Sequence, residues 1–252
     1  LADTSMLEAA QQSAGSRTVH WAHGLSGGWN FAGLSDFCLF RCGYDVDTHA
    51  GLPAYRETGY FQLPMPAHVP SREGGWLLLT SYAHLTNPFS SHGACDIEAE
   101  VVRMTIEAVE QTGMGVDRLH WRPHPVFWQL PNDLRERVLA SVSGTGVTMP
   151  APDSPMPVYD DYKIILCTFS TMAVEILTEG RLPIILAPHD IPAETPFGAF
   201  PLVGSNAGQL IDAVSRLDDQ QAAADLFAQA WNRVRPADPE VSLERIVQRV
   251  GR

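Results

Sequence analysis

The strongest constraint on the fold lies between residues 163 and 186. The run 163–168 (Lys-Ile-Ile-Leu-Cys-Thr) is apolar and rich in β-formers, as expected of a strand buried on both faces. Ser170 and Thr171 follow, residue types that cap helices, and the pattern 172–178 then runs to a stop at Gly180. A second apolar run, 182–186 (Leu-Pro-Ile-Ile-Leu), reads as strand again. Two strands joined by one helix make a βαβ crossover, and repeating that unit gives a parallel sheet covered by helices.

The rest of the chain after residue 74 repeats the theme. Residues 76–80 form a short apolar strand after Gly74 and Gly75. Apolar residues recur at helical spacing over 97–111, with acids on the opposite face and Gly113 as a stop. Residues 118–122 read as the next strand, 132–142 as a helix opened by a cap-like Asn132, and 147–149 as a third short strand. Helices are expected over 209–216, 221–234 and 241–250. The predicted fold class is therefore α/β, with a doubly wound parallel sheet of the Rossmann-like kind.

The first 70 residues differ. A helix is expected over 6–12 and short strands over 36–41 and 58–63; residues 17–20 lead into His23-Gly24 and a Gly-rich turn at 26–29. The stretch 64–70 holds several prolines, few backbone donors, and reads as a linker. The expected organisation is 1–71 as the C-terminal part of one α/β domain, 72–236 as a Rossmann-like domain, and 237–252 as a C-terminal helix.

Charge and composition remove several function classes. A net charge of −12 and the lack of any basic run argue against a long nucleic-acid groove, which needs clustered Lys and Arg. A single nucleotide can still be held by local donors. The four cysteines (Cys38, Cys42, Cys95, Cys167) have neither disulfide-framework nor metal spacing, so free thiols in a reducing, cytoplasmic setting are expected. His84, His92, Cys95 and Asp96 match no zinc pattern, so no metal site is expected. No apolar stretch reaches the roughly 18 residues of a membrane span. The opening Leu1-Ala-Asp-Thr is neither an initiator Met nor a signal peptide, which suggests an excerpt of a longer protein.

In doubly wound sheets ligands bind beyond the carboxyl ends of the strands. Two places here carry polar groups at such ends. His124-Pro125 follows the strand ending at Arg122, and the proline should hold the histidine in an extended, defined direction. Arg122 is expected at the same edge. Ser170-Thr171 stand at a strand-to-helix turn, where unpaired N–H groups and two hydroxyls suit a phosphate. Glu175 lies one turn further along, where a carboxylate can accept from a ribose hydroxyl pair.

These motifs, in order, resemble the C-terminal half of bacterial GT-B transferases of surface-polysaccharide assembly. That family includes the capsule sialyl-, polysialyl- and Kdo transferases and the teichoic-acid glycerophosphotransferases. The resemblance rests on Arg122-Pro-His124-Pro125, on Ser170-Thr171-Met-Ala-Val-Glu175, and on Gly180-Arg-Leu-Pro183-Ile. His20-Trp-Ala-His23-Gly24, then Ser35-Asp36 through Gly43 and Gly59, also follow the family's order. It implies that His124, Pro125, Ser170 and Thr171 hold donor phosphate, with Arg122 beside them and Glu175 on the nucleoside. The acidic base segment of the sialyl branch is missing. His23 is then the candidate base, with a pKa suited to proton transfer near neutrality.

The expected activity is transfer of a sugar from a nucleotide-activated donor, cytidine favoured, to a growing surface polysaccharide or glycolipid. No cofactor is implied, since the nucleotide-sugar is itself the substrate. The partners implied are that donor and a glycan or glycolipid acceptor, with peripheral attachment to the inner membrane face through a partner or a further domain. Two alternatives remain: a non-catalytic nucleotide-binding or assembly subunit of the same fold, and a UDP-sugar 2-epimerase, which usually carries Ser-Gly-Gly where this chain has Ser170-Thr171.

Overall fold

The computed structural model describes residues 14–15, 18–21, 37–49, 57–59, 61–70, 73–81, 91–188 and 196–250. The expected helix over 6–12, the turn at 26–29 and His23 lie outside the described residues. The chain divides into two compact units: Leu1–Pro66 with Ile191–Ala199 and Gln229–Arg252, and Ala67–Asp190 with Phe200–Ala228.

The first unit holds a three-stranded parallel sheet, β1 (Val19–Trp21), β2 (Phe37–Leu39) and β3 (Glu57–Gly59), in the order β1-β2-β3. Helix α1 (Gly43–His49) follows β2. The C-terminal stretch, expected as a helix of its own, belongs to this unit. The Asp238 carboxylate accepts the N–H groups of Glu240 and Val241 at 2.9 and 3.1 Å, a capping arrangement that starts the last helix, Pro239–Val250. One turn in, the Ser242 hydroxyl accepts the Phe61 N–H at 3.0 Å. Leu243 packs on buried Leu39, and the Arg245 guanidinium lies 4.3 Å above the Phe61 ring.

The second unit carries the predicted doubly wound sheet. It has five parallel strands, β4 (Gly75–Thr80), β5 (Leu119–Pro123), β6 (Tyr162–Cys167), β7 (Ile184–Leu186) and β8 (Val203–Gly204), in the order β5-β4-β6-β7-β8. The strand order reverses at β4, which lies between β5 and β6, so the topological switch point falls at the β4–β6 boundary. The flanking helices are α2 (Ser91–Gln111), α3 (Asn132–Leu139), α4 (Met172–Thr178), α5 (Ala207–Asp218) and α6 (Gln220–Val234); α6 continues into the first unit, and Pro239–Val250 is α7.

Continuous burial along β4, β6 and β7 explains their unbroken apolar runs. On edge strand β5 the burial alternates. Leu119, Trp121 and Pro123 are buried, and Trp121 meets Phe127 edge-on at 5.7 Å. His120 and Arg122 face the other side.

Several expectations need correction. The strand expected at 147–149 is a single parallel bridge between Thr148 and His120. Asn132 does not cap its helix: Pro131 holds that position, and the Asn132 side chain accepts from Arg135 instead, at 2.6 Å. Strand β8 was not expected, and at two residues it carries too little pattern to be read locally.

Candidate functional site

The carboxyl edge of the second unit's sheet is where the ends of β4, β5 and β6 come together. A hydroxyl clasp joins β4 to β6. The Ser81 N–H donates to Thr168 Oγ1 at 2.8 Å, the two hydroxyls lie 2.9 Å apart, and the Ser81 hydroxyl donates to the Phe169 carbonyl at 2.9 Å. Both residues are buried. The Thr168 N–H in turn donates to the Leu79 carbonyl at 3.0 Å, so the carboxyl ends of β4 and β6 are joined by four bonds.

Beneath the clasp runs a buried polar chain. Trp121 Nε1 donates to the Thr80 hydroxyl at 2.9 Å, and that hydroxyl donates to the Glu98 carboxylate on α2. Glu98 is fully buried. A buried carboxyl group needs hydrogen-bond partners, and Thr80 supplies one.

His124 leaves the end of β5 with its N–H donating to the Thr80 carbonyl at 2.8 Å, which continues the β4–β5 ladder by one residue. Pro125 begins the 3-10 turn Pro125–Gln129, and the His124 side chain caps it: Nδ1 accepts from the Val126 N–H at 3.3 Å. In the neutral ring, an accepting Nδ1 leaves the proton on Nε2. The half-buried imidazole is thereby a set donor, the polarity a phosphate oxygen requires.

Ser170 and Thr171 leave β6 on the other side of β4. With strands about 4.8 Å apart, the two strand ends sit roughly 10 Å from each other, close enough to flank one diphosphate. The expected row of unpaired N–H groups is not what the structure builds. The Met172 N–H donates to the Ser170 hydroxyl at 3.3 Å, and the N–H groups of Ala173 and Val174 donate to the carbonyls of Ser170 and Thr171. Helix α4 has only seven residues, and Thr171 makes no side-chain cap bond. What this turn offers a ligand is hydroxyl hydrogens rather than a helix terminus. Glu175 is exposed on α4, near enough to Tyr159 to help raise that phenol's pKa well above its usual value, after burial as the main cause.

Arg122 does not join this edge. Its guanidinium donates from Nη1 to the Pro155 carbonyl at 2.9 Å and from Nη2 to the Ser154 carbonyl at 2.6 Å. It lies on the sheet face shared with His120 and lines a cavity there.

The cysteines and acids named from the sequence are occupied otherwise. Burial pushes the Cys167 thiol far above its ordinary pKa, so it is an inert core group. Cys95 is buried, and Asp96 pairs with Arg137 at 2.7 Å. Among the described residues no helix is long and apolar enough to cross a membrane.

Sequence reasoning missed Thr80, Ser81, Glu98 and Thr168. The available signal was a small hydroxyl residue closing each of two apolar runs, but only the strand register places those hydroxyls side by side.

The fold and this edge define an α/β protein with a doubly wound, all-parallel sheet. No protein-family model and no curated protein sequence matches the chain.

Proposed function

We propose that the second unit is the nucleotide-sugar-binding half of a glycosyltransferase of GT-B kind, taking a cytidine-activated donor and serving surface-polysaccharide or glycolipid assembly. The observation that carries this reading is the placement of His124 and of Ser170-Thr171 on loops that leave the two strands flanking β4, where the strand order reverses. In this reading Nε2–H of His124 and the hydroxyls of Ser170 and Thr171 donate to the donor's phosphate oxygens, and Pro125 fixes the direction of the imidazole. Glu175 accepts from the ribose hydroxyls.

The chemistry asked of these groups is stabilisation of the charge that grows on the leaving nucleotide phosphate, done by donors already in place. The Ser81–Thr168 clasp supports it by joining the carboxyl ends of β4 and β6. His23, outside the described residues, is the base proposed for the acceptor hydroxyl. Donor and acceptor are the partners; the donor is consumed as substrate, and no further cofactor enters.

Calorimetric titration tests the reading. Cytidine mono- and diphosphate should bind with dissociation constants at least tenfold below those of the uridine nucleotides. His124→Ala should weaken the cytidine nucleotides by about tenfold, the scale of one charge-assisted hydrogen bond, with the urea midpoint little changed. No binding of either nucleotide by the wild-type chain would defeat the proposal. Donor hydrolysis or transfer then separates an enzyme from a non-catalytic binding subunit.

A further inference from the structure

On the sheet face away from Glu98, the 150–157 stretch roofs a cavity of about 220 Å³ over β4 and β5. Its floor and walls are mostly apolar, made by Leu77, Pro155 and Pro157 among others, and its polar lining residues are Arg122, His120, Thr148 and Tyr162. Such a chamber falls below the roughly 300–1,000 Å³ of pockets that take drug-sized ligands. It is too small for a nucleotide-sugar and suits a small metabolite.

The charge in this cavity is unbalanced. Arg122 donates only to two neutral carbonyls, and no carboxylate among the described residues pairs with it. In a chain of net charge −12, the guanidinium stands beside apolar walls without a neutralising partner. Its two carbonyl bonds use two of five N–H donors and hold the plane of the fork still, leaving three for a ligand.

His120 adds a second donor. Its Nδ1 lies 2.8 Å from the Tyr162 hydroxyl, and the rings meet edge-on at 5.3 Å. Either group can donate in that bond; where the phenol donates to Nδ1, the ring's Nε2–H is left to meet an anion in the chamber. Arg122 and His120 lie on one face of β5, and both line the chamber.

We propose that this cavity is a second ligand site, selective for a small carboxylate whose hydrocarbon or aromatic body lies on Leu77 and the prolines and whose oxygens accept from Arg122 and His120. It stands independently of the nucleotide reading, because it lies on the sheet face and not at the carboxyl edge.

Benzoate and its neutral isostere benzamide test the site on the whole chain, by calorimetry and ligand-observed NMR. Benzoate should bind at least tenfold more tightly than benzamide, since only the anion sets a full opposite charge and two accepting oxygens against the guanidinium. Arg122→Gln keeps an amide that can donate to the loop carbonyls but removes the charge. It should weaken benzoate about tenfold and benzamide distinctly less. A saturating cytidine nucleotide should not displace benzoate, and failure of nucleotide binding would leave the benzoate result unaltered. Equal affinity for benzoate and benzamide in the wild-type chain overturns the proposal, with no variant needed. Undiminished benzoate binding by a folded Arg122→Gln chain overturns it as well.

Discussion

Thr168 ends a strand of apolar side chains, and its one hydroxyl meets both the N–H and the hydroxyl of Ser81. Replacing it with valine conserves shape and removes the acceptor, leaving a buried N–H without its partner. Thr168→Val should cost about 1–3 kcal/mol, the penalty for an unsatisfied buried donor, read as a lower urea midpoint, whereas Thr168→Ser should retain most of the stability. Arg181 is the larger case. It is 3% exposed, and its guanidinium donates to the carbonyls of Tyr159 and Tyr162 at 2.8 and 2.7 Å, with Asp160 at 3.7 Å. It thus ties the turn before β6 to the strand's first residue. Arg181→Met keeps the apolar stem but removes the charged donor from these buried carbonyls, and should destabilise the chain by about 3 kcal/mol in the same measurement. The sequence shows Arg181 only as part of a Gly-Arg-Leu-Pro string. Its burial follows from tertiary closure, which no local pattern records.

At the scale of elements, two kinds of glycine mark where backbones meet. A Cβ on Gly75 would lie 2.3 Å from the Arg118 carbonyl oxygen, and one on Gly74 2.6 Å from that of Asp161. The glycine pair therefore lets β4 enter between β5 and β6. Gly180 combines a φ of +78° with a Cβ position 2.5 Å from the Ala67 carbonyl oxygen, while Gly113 has a φ of +75° and open space. Gly113→Ala should cost about 1 kcal/mol for the left-handed backbone alone, and Gly180→Ala distinctly more, because a backbone oxygen cannot move aside as a side chain can. A difference in thermal midpoint between the two variants measures the close approach directly. The βαβ unit was legible because its signals are local: two apolar runs, a hydroxyl pair and a glycine stop. Helix α4 accordingly spans the expected Met172–Thr178. What stayed hidden depends on pairing between distant strands. The Ser81–Thr168 clasp exists only in the parallel register of β4 and β6, and the direction of Arg122 is set by the face that alternation along β5 assigns it. The bonding at Ser170-Thr171 was misread for a related reason. A short helix closes its own first N–H groups, here on the Ser170 hydroxyl and the Ser170 and Thr171 carbonyls, and the local pattern does not say which.

For the whole molecule, the pH dependence of stability turns on groups titrated differently by folding, and His68 is one. Its ring lies 5.3 Å from that of Phe227, half-buried, and burial followed by the charge of Arg181 lowers its pKa from the ordinary 6.5. Folding thus favours the neutral imidazole. Above pH 6.5 neither folded nor unfolded chains protonate it, and the packed ring contributes in full. As pH falls through 6.5 the unfolded chain takes up a proton that the folded chain still refuses, so stability declines from there down to the folded pKa. Urea unfolding of the wild-type chain should therefore show a lower midpoint at pH 5.5 than at pH 7.5. His68→Phe retains an aromatic ring against Phe227 and has nothing to titrate, so its midpoint should fall less over the same interval. Equal slopes for the two chains would show that the imidazole is no worse a base when folded, and that its contact with Phe227 is open enough for water to accommodate the charge.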